Sequence, residues 1–194
     1  MGVLSLEMIE KMNFSSVGEN VQISERASFY NTQNISLGNN VRIDDFCILS
    51  AGSGGINIGN HVHMAAYSSL TGAGRINLSD FSGISSRVSI YSSSDDYSGS
   101  TMTNPTLPKK YTGATHADVF LGRHVIIGCG SVLLPGVTLG EGAAVGALSL
   151  VTKDCQSFGI YAGNPAKRIQ TRKRNLLEIE KTFLDSKRDF NSNH

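Results

Sequence analysis

Residues 121–151 read LGRHVIIGCGSVLLPGVTLGEGAAVGALSLV. An aliphatic residue recurs at every sixth position: Leu121, Ile127, Leu133, Leu139, Val145 and Val151. Gly follows several of them, at Gly122, Gly128, Gly140 and Gly146. Helices repeat every ~3.6 residues and strands every ~2, so neither makes this beat. A six-residue period belongs to β-solenoids, whose coils bury a core only by stacking on their neighbours.

The phase runs upstream through Val17, Ile23 and Phe29, then Leu37, Ile43 and Leu49. It continues through Ile58, Met64 and Leu70, then Leu78, Ile84 and Ile90. Three hexads make one triangular coil. The longer steps, 29 to 37, 49 to 58 and 70 to 78, all fall after the third face, so every insertion leaves from one corner. At ~4.8 Å per coil, about six coils predict a prism roughly 25–30 Å tall. The first residue of each hexad points inward. The fifth is small or β-branched and fills the remaining core: Val21, Val41, Cys47, Val62, Val88, Val125, Ser131, Val137 and Ala143.

The flanks lose the beat. Residues 1–16 are expected to hold a capping helix over 3–14, with Val3, Leu4, Leu6, Met8, Ile9 and Met12 apolar. An open solenoid end exposes strand edges and needs such a cap. The solenoid domain is expected over 17–163, with an excursion at 92–120. A basic segment and a second helix are expected over 164–194. In the second helix Asn175 and Glu178 resemble a capping box, and Leu176, Ile179, Phe183 and Leu184 form the apolar stripe.

The chain has 194 residues and a formal net charge of +1, which speaks against nucleic acid or a membrane surface as the main partner. No apolar run approaches membrane-span length, and no signal peptide is read. Three Cys without a CxxC pair suit a reducing compartment, so a cytoplasmic location is expected.

The one large violation lies between Ile90 and Leu121. A long departure from a regular solenoid usually carries function. Asp95, Asp96 and Tyr97 stand at its root. Asp96 takes the place of an inward aliphatic residue, where a carboxylate does not belong unless paired, so the chain has already turned outward. The pair is read as holding a substrate ammonium or hydroxyls. A solvated turn is the plainer alternative. Among the histidines, His61 and His124 occupy corners and His63 lies outward above Arg42. His116, in the excursion's return, is the alternative catalytic base. His61 and His63 point to different sides, so a shared metal is not expected.

From residue 121 onward the sequence resembles the hexapeptide-repeat acyltransferases. The residues that carry this are IGCGSVLLPGVTLGEGAAVGALSLVTKD, then YAGNPAKRIQTRK. The resemblance implies a left-handed parallel β-helix, a homotrimer, and acetyl-CoA bound between neighbouring subunits. By position, Gly128, Ala147, Thr152 and Lys153 would line the pantetheine and pyrophosphate path. Pro165, Lys167, Arg172 and Lys173 would meet the adenine and phosphate end. CoA is a polyanion, and this is the densest basic cluster of the chain.

The galactoside and maltose branch carries a catalytic His in the loop before the last coils. Here that loop reads Ser94-Asp95-Asp96-Tyr97-Ser98-Gly99, without His. It is similar instead to the branch that N-acetylates nucleotide-linked amino-deoxy sugars, such as the dTDP-4-amino sugar of anthrose synthesis. An amine is nucleophilic once it sheds a proton, whereas a hydroxyl needs a strong base. The expected function is therefore acetyl transfer to a nucleotide-linked amino sugar, with Asp95 and Asp96 orienting the amine and Ser85 in contact with substrate. Three alternatives stand beside it: an O-acetyltransferase with a His base, a zinc-dependent hydratase and a non-catalytic trimeric scaffold.

Overall fold

A computed structural model describes residues 2–192. The chain winds as a left-handed parallel β-helix of about seven turns, with a helix at each end. Its three faces are parallel ladders of six, eight and six strands, apart from one antiparallel strand that closes the second face. The first face runs from Ser16–Val17 to Thr138–Leu139, the second from Gln22–Ile23 to Gly159–Ala162 with Lys167–Thr171 beside it, and the third from Ser28–Tyr30 to Leu150–Val151. Register is kept coil by coil: Ile56, Ile76 and Val119 stack, and Ile58, Leu78 and Leu121 stack beside them.

The beat sets the core. Ile23, Ile43, Met64, Ile84 and Ile127 form one fully buried column. All nine fifth-position residues named above are buried. Burial pushes the Cys47 thiol up and takes Cys155 to about 11, while Cys129 is exposed. Val17 and Phe29 are the exceptions, exposed and half-buried, because their strands end their ladders with no rung above them.

The corners explain the odd residues. The fourth hexad position is left-handed: Asn20, Asn40, His61, Phe81 and His124 all have φ between 54° and 59°. That conformation costs a side-chain-bearing residue ~1–2 kcal/mol. Asn tolerates it. At the other three, stacking offsets part of the cost, since the Phe81 ring lies 5.0 Å from His61 and 5.1 Å from His124. The second corner repeats the device with Phe46 on Tyr67 at 4.9 Å, flanked by Arg26 and Arg87.

Both helices differ from expectation. The first, Leu6–Lys11, is shorter than 3–14: Ser5 caps it, and Val3 has already paired with Ser24 as a β-bridge. Six residues make a narrow face, so only Ile9 is buried while Leu6 and Met8 are exposed. The second, Asn175–Ser192, begins with Asn175 inside the helix rather than as its cap. Of its stripe, Leu176 and Phe183 lie on the His61–Phe81–His124 ladder, around a shallow cavity of about 340 Å³. Ile179 borders the same cavity but stays 68% exposed. Glu180 ties the helix down by pairing with Arg123 and, at 2.8 Å, with His124.

Candidate functional site

The excursion leaves the third face after Tyr91 and is seated on the small insertion one coil earlier. The Ser92 hydroxyl donates to the Gly74 carbonyl at 2.7 Å, and the Ala117 amide returns to Ser92 at 3.1 Å. Arg75 donates its amide to the Asp118 carboxylate at 2.8 Å. The seat is tight: a Cβ on Gly74 would lie 2.7 Å from the Ala117 carbonyl oxygen. Ser93–Ser94 and Thr115–His116 then pair as a two-stranded antiparallel hairpin root. Ser93 Oγ accepts from the Ala73 amide at 2.7 Å and lies 2.7 Å from His116 Nδ1.

The two aspartates diverge here. Asp96 turns back into its own loop and accepts from the amides and hydroxyls of Ser98 and Thr101, at 2.6–3.1 Å. The Ser98 hydroxyl, then the Ser98 and Thr101 amides, hold its carboxyl down at about 2. Asp95 has no such engagement; it is exposed and lines a cavity of about 470 Å³. Tyr91, Ser93, Ser94, Asp95 and Tyr97 form one wall, and Val132, Leu134 and Pro135 of the next coil form the other. Asp95 is the acidic residue of this wall.

The remaining expected residues fall on three different edges of the prism. Ser85, Gly128 and Ala147 stack at the second corner, with Pro165 after them where the Gly163 and Ala166 backbone pairs with Leu150. Gly128 is required there, because a Cβ would meet the Ala147 amide nitrogen at 2.4 Å. The exposed Lys167 opens the antiparallel strand beside that corner. Thr152 and Lys153 lie exposed at the third corner, one coil beyond Leu134. Arg172 is at the first corner, where its guanidinium donates to the carbonyls of His124 at 2.8 Å and Gly142 at 3.1 Å. Lys173 follows it. The strand Lys167–Thr171 thus carries the two ends of the basic segment to opposite edges of the second face.

Three histidines are engaged elsewhere: His61 stacks on Phe81, His63 pairs with Asp44 at 2.9 Å, and His124 pairs with Glu180. No three metal-ligating side chains converge among the described residues. The sequence reading missed Ser93 and the wall of Val132, Leu134 and Pro135. Phase counting could have found the wall, since Leu133 stacks on Ile90 and the residues after each share a corner.

No protein-family model matches the chain. A dTDP-4-amino-4,6-dideoxy-D-glucose acyltransferase of Escherichia coli is 55% identical over 186 residues, covering 96% of this chain and 97% of the relative. The crystal structure of an AntD variant, an N-acyltransferase from Bacillus cereus, in complex with dTDP-4-amino-4,6-dideoxyglucose and coenzyme A, superposes with a TM-score of 0.91 at 46% identity, over 95% of this chain and 98% of that one. AntD with dTDP and 3-hydroxybutyryl-CoA superposes equally, at 45% identity over 97% and 100%. The chain belongs to the dTDP-4-amino-4,6-dideoxy-D-glucose acyltransferases, a branch of the hexapeptide-repeat acyltransferases.

Proposed function

We propose that this protein transfers the acetyl group of acetyl-CoA to the amine of dTDP-4-amino-4,6-dideoxyglucose. The observation that carries the choice of acceptor is the Asp95 cavity, whose charged wall suits a sugar amine and whose apolar wall suits a deoxy sugar. The Escherichia coli relative carries that sugar nucleotide in its name, and an AntD variant was crystallised with it.

Asp95 holds the amine and orients its lone pair; positioning then carries much of the rate. Acetyl-CoA supplies an activated thioester carbonyl. The amine attacks that carbon, the C–S bond breaks, and the surplus proton leaves with the thiol. At the last rungs of the second corner Gly128, Ala147 and Pro165 carry no long side chain, which leaves backbone open beside the exposed Leu148 and suits an extended pantetheine, and Lys153 and Lys167 are exposed to meet phosphates. We assign Asp96 to ordering the loop that presents Asp95 and Tyr97, and Arg172 to clamping the end of the solenoid.

The site is proposed to form between copies in a homotrimer. Ser85 and Asp95 lie at different corners of the coil, roughly 15–20 Å apart along one face. AntD variants crystallised with dTDP and coenzyme A alter one serine and one aspartate ten positions apart, the spacing of Ser85 and Asp95 here. Neighbouring chains bring unlike corners together. A solution mass of three times the 20.7 kDa chain supports this reading, and a monomer contradicts it. No helix among the described residues is long and apolar enough to cross a membrane, and three unpaired cysteines suit a reducing compartment, so the cytoplasm is the proposed location.

The test is product chemistry. Incubation with acetyl-CoA and the amino-sugar nucleotide is expected to release CoA and give a hydroxylamine-stable amide. A hydroxylamine-labile ester would assign the protein to O-acetylation instead.

A further inference from the structure

We infer that His116 is a positioning residue of the acceptor cavity, acting through Ser93, and that it takes no proton from the substrate. The inference rests on the amine-transfer reading above. Ser93 stands between two partners. Its Oγ accepts from the Ala73 amide at 2.7 Å, and a serine hydroxyl has one proton to give. Oγ keeps a second lone pair as well as that proton, so the 2.7 Å bond to His116 Nδ1 forms whichever of the two atoms carries the hydrogen.

The position of the pair gives it a task. Ser93 and His116 face each other in the hairpin root, and Ser93 is itself part of the cavity wall, two residues before Asp95. His116 does not line that cavity. Ala73 belongs to the insertion that seats the whole excursion, so the bonds run in series from a fixed rung, through Ser93, to the returning strand. Removing the imidazole frees one side of Ser93 and lets the start of the acidic wall shift. A base would instead have to face the amine.

His116→Ala and His116→Asn separate these roles by steady-state kinetics over pH, with acetyl-CoA and dTDP-4-amino-4,6-dideoxyglucose. His116→Ala is expected to raise the amino-sugar KM roughly tenfold, as befits one lost hydrogen bond. The acetyl-CoA KM and the shape of the kcat–pH profile should stay as they are. His116→Asn places a hydrogen-bonding amide at the same branch point and should return KM to within about threefold of the parent. A kcat loss of about a hundredfold or more, with disappearance of a limb in the ordinary histidine range, would overturn the inference in favour of a base. An unchanged KM in His116→Ala would overturn it too.

Amide hydrogen exchange at Ala73 reads the brace with no substrate present. Faster exchange in His116→Ala supports the brace even if no amino-sugar nucleotide is ever acylated, in which case the proposed function fails alone. Unchanged exchange rejects the brace.

Discussion

The second and third corners of the same solenoid solve different problems. At the last rungs of the second corner, a Cβ on Gly128 would meet the Ala147 amide nitrogen at 2.4 Å and one on Gly146 the Ala162 Cβ at 3.1 Å, so these two positions leave little room for larger side chains. What that edge offers a ligand is shape and backbone. At the third corner the chain leaves the lattice, and side chains take over: Asp95 on the cavity, Asp96 in its loop, Ser93 against His116. The lesson is that repetition builds a platform for whatever is common to many reactions, and interruption builds what distinguishes one of them.

Replacing Asp95 by Ala should separate the corners most widely. We expect kcat/KM for the amino-sugar nucleotide to fall about a hundredfold, the scale of a lost electrostatic or orienting contact at a reacting centre. The melting temperature should not move, because Asp95 is exposed and lies outside the buried core. A large drop in melting temperature would merge the two regions again.

Gly128→Ala should do the reverse. The added Cβ meets backbone atoms of the next coil at 2.4–2.8 Å. We expect a loss of about 1–3 kcal/mol in stability by chemical denaturation, the usual range for overpacking. A variant as stable as its parent would show that the rungs slide apart freely and that the glycine answers to the donor alone.

Asp96→Ala should give a smaller effect confined to the excursion: an amino-sugar KM several-fold higher, about one hydrogen bond's worth, with melting unchanged. Its pH dependence has a definite sign. The folded carboxyl is held at about 2, below its ordinary value, so its contribution to loop order is present above that ordinary value and lost as pH falls toward 2. Limited proteolysis between Lys109 and Tyr111 at decreasing pH should show the loop holding together until that window. Loosening already near neutrality would contradict the assignment.

The mildest probe is the exposed Cys129, next to Gly128. Coenzyme A should slow its alkylation about twofold or more, and dTDP alone should not. Protection by dTDP but not by coenzyme A would exchange the roles of the corners.

The solenoid was readable because its core is local and periodic: each inward residue is fixed by its place in a hexad, and insertion corners follow from counting. The exceptions were the ends. Val17 has no rung above it, and Leu6–Lys11 is too short to bury the stripe that its sequence offers. Within the excursion the residue types were legible, but their pairing was not. Asp95 and Asp96 are adjacent and identical; only the loop's closure onto Ser98 and Thr101 tells them apart. The basic residues looked like one cluster in sequence, yet an extended strand carries Lys167 and Arg172 to different edges.

The central claim is that the excursion reads the acceptor amine through Asp95 while the regular coils hold the donor. A crystal structure with coenzyme A and dTDP-4-amino-4,6-dideoxyglucose tests it most directly. The amine is expected within hydrogen-bond distance of the Asp95 carboxylate, with Asp96 still bound to Ser98 and Thr101. An amine lying against His116, with Asp95 turned to solvent, would contradict it.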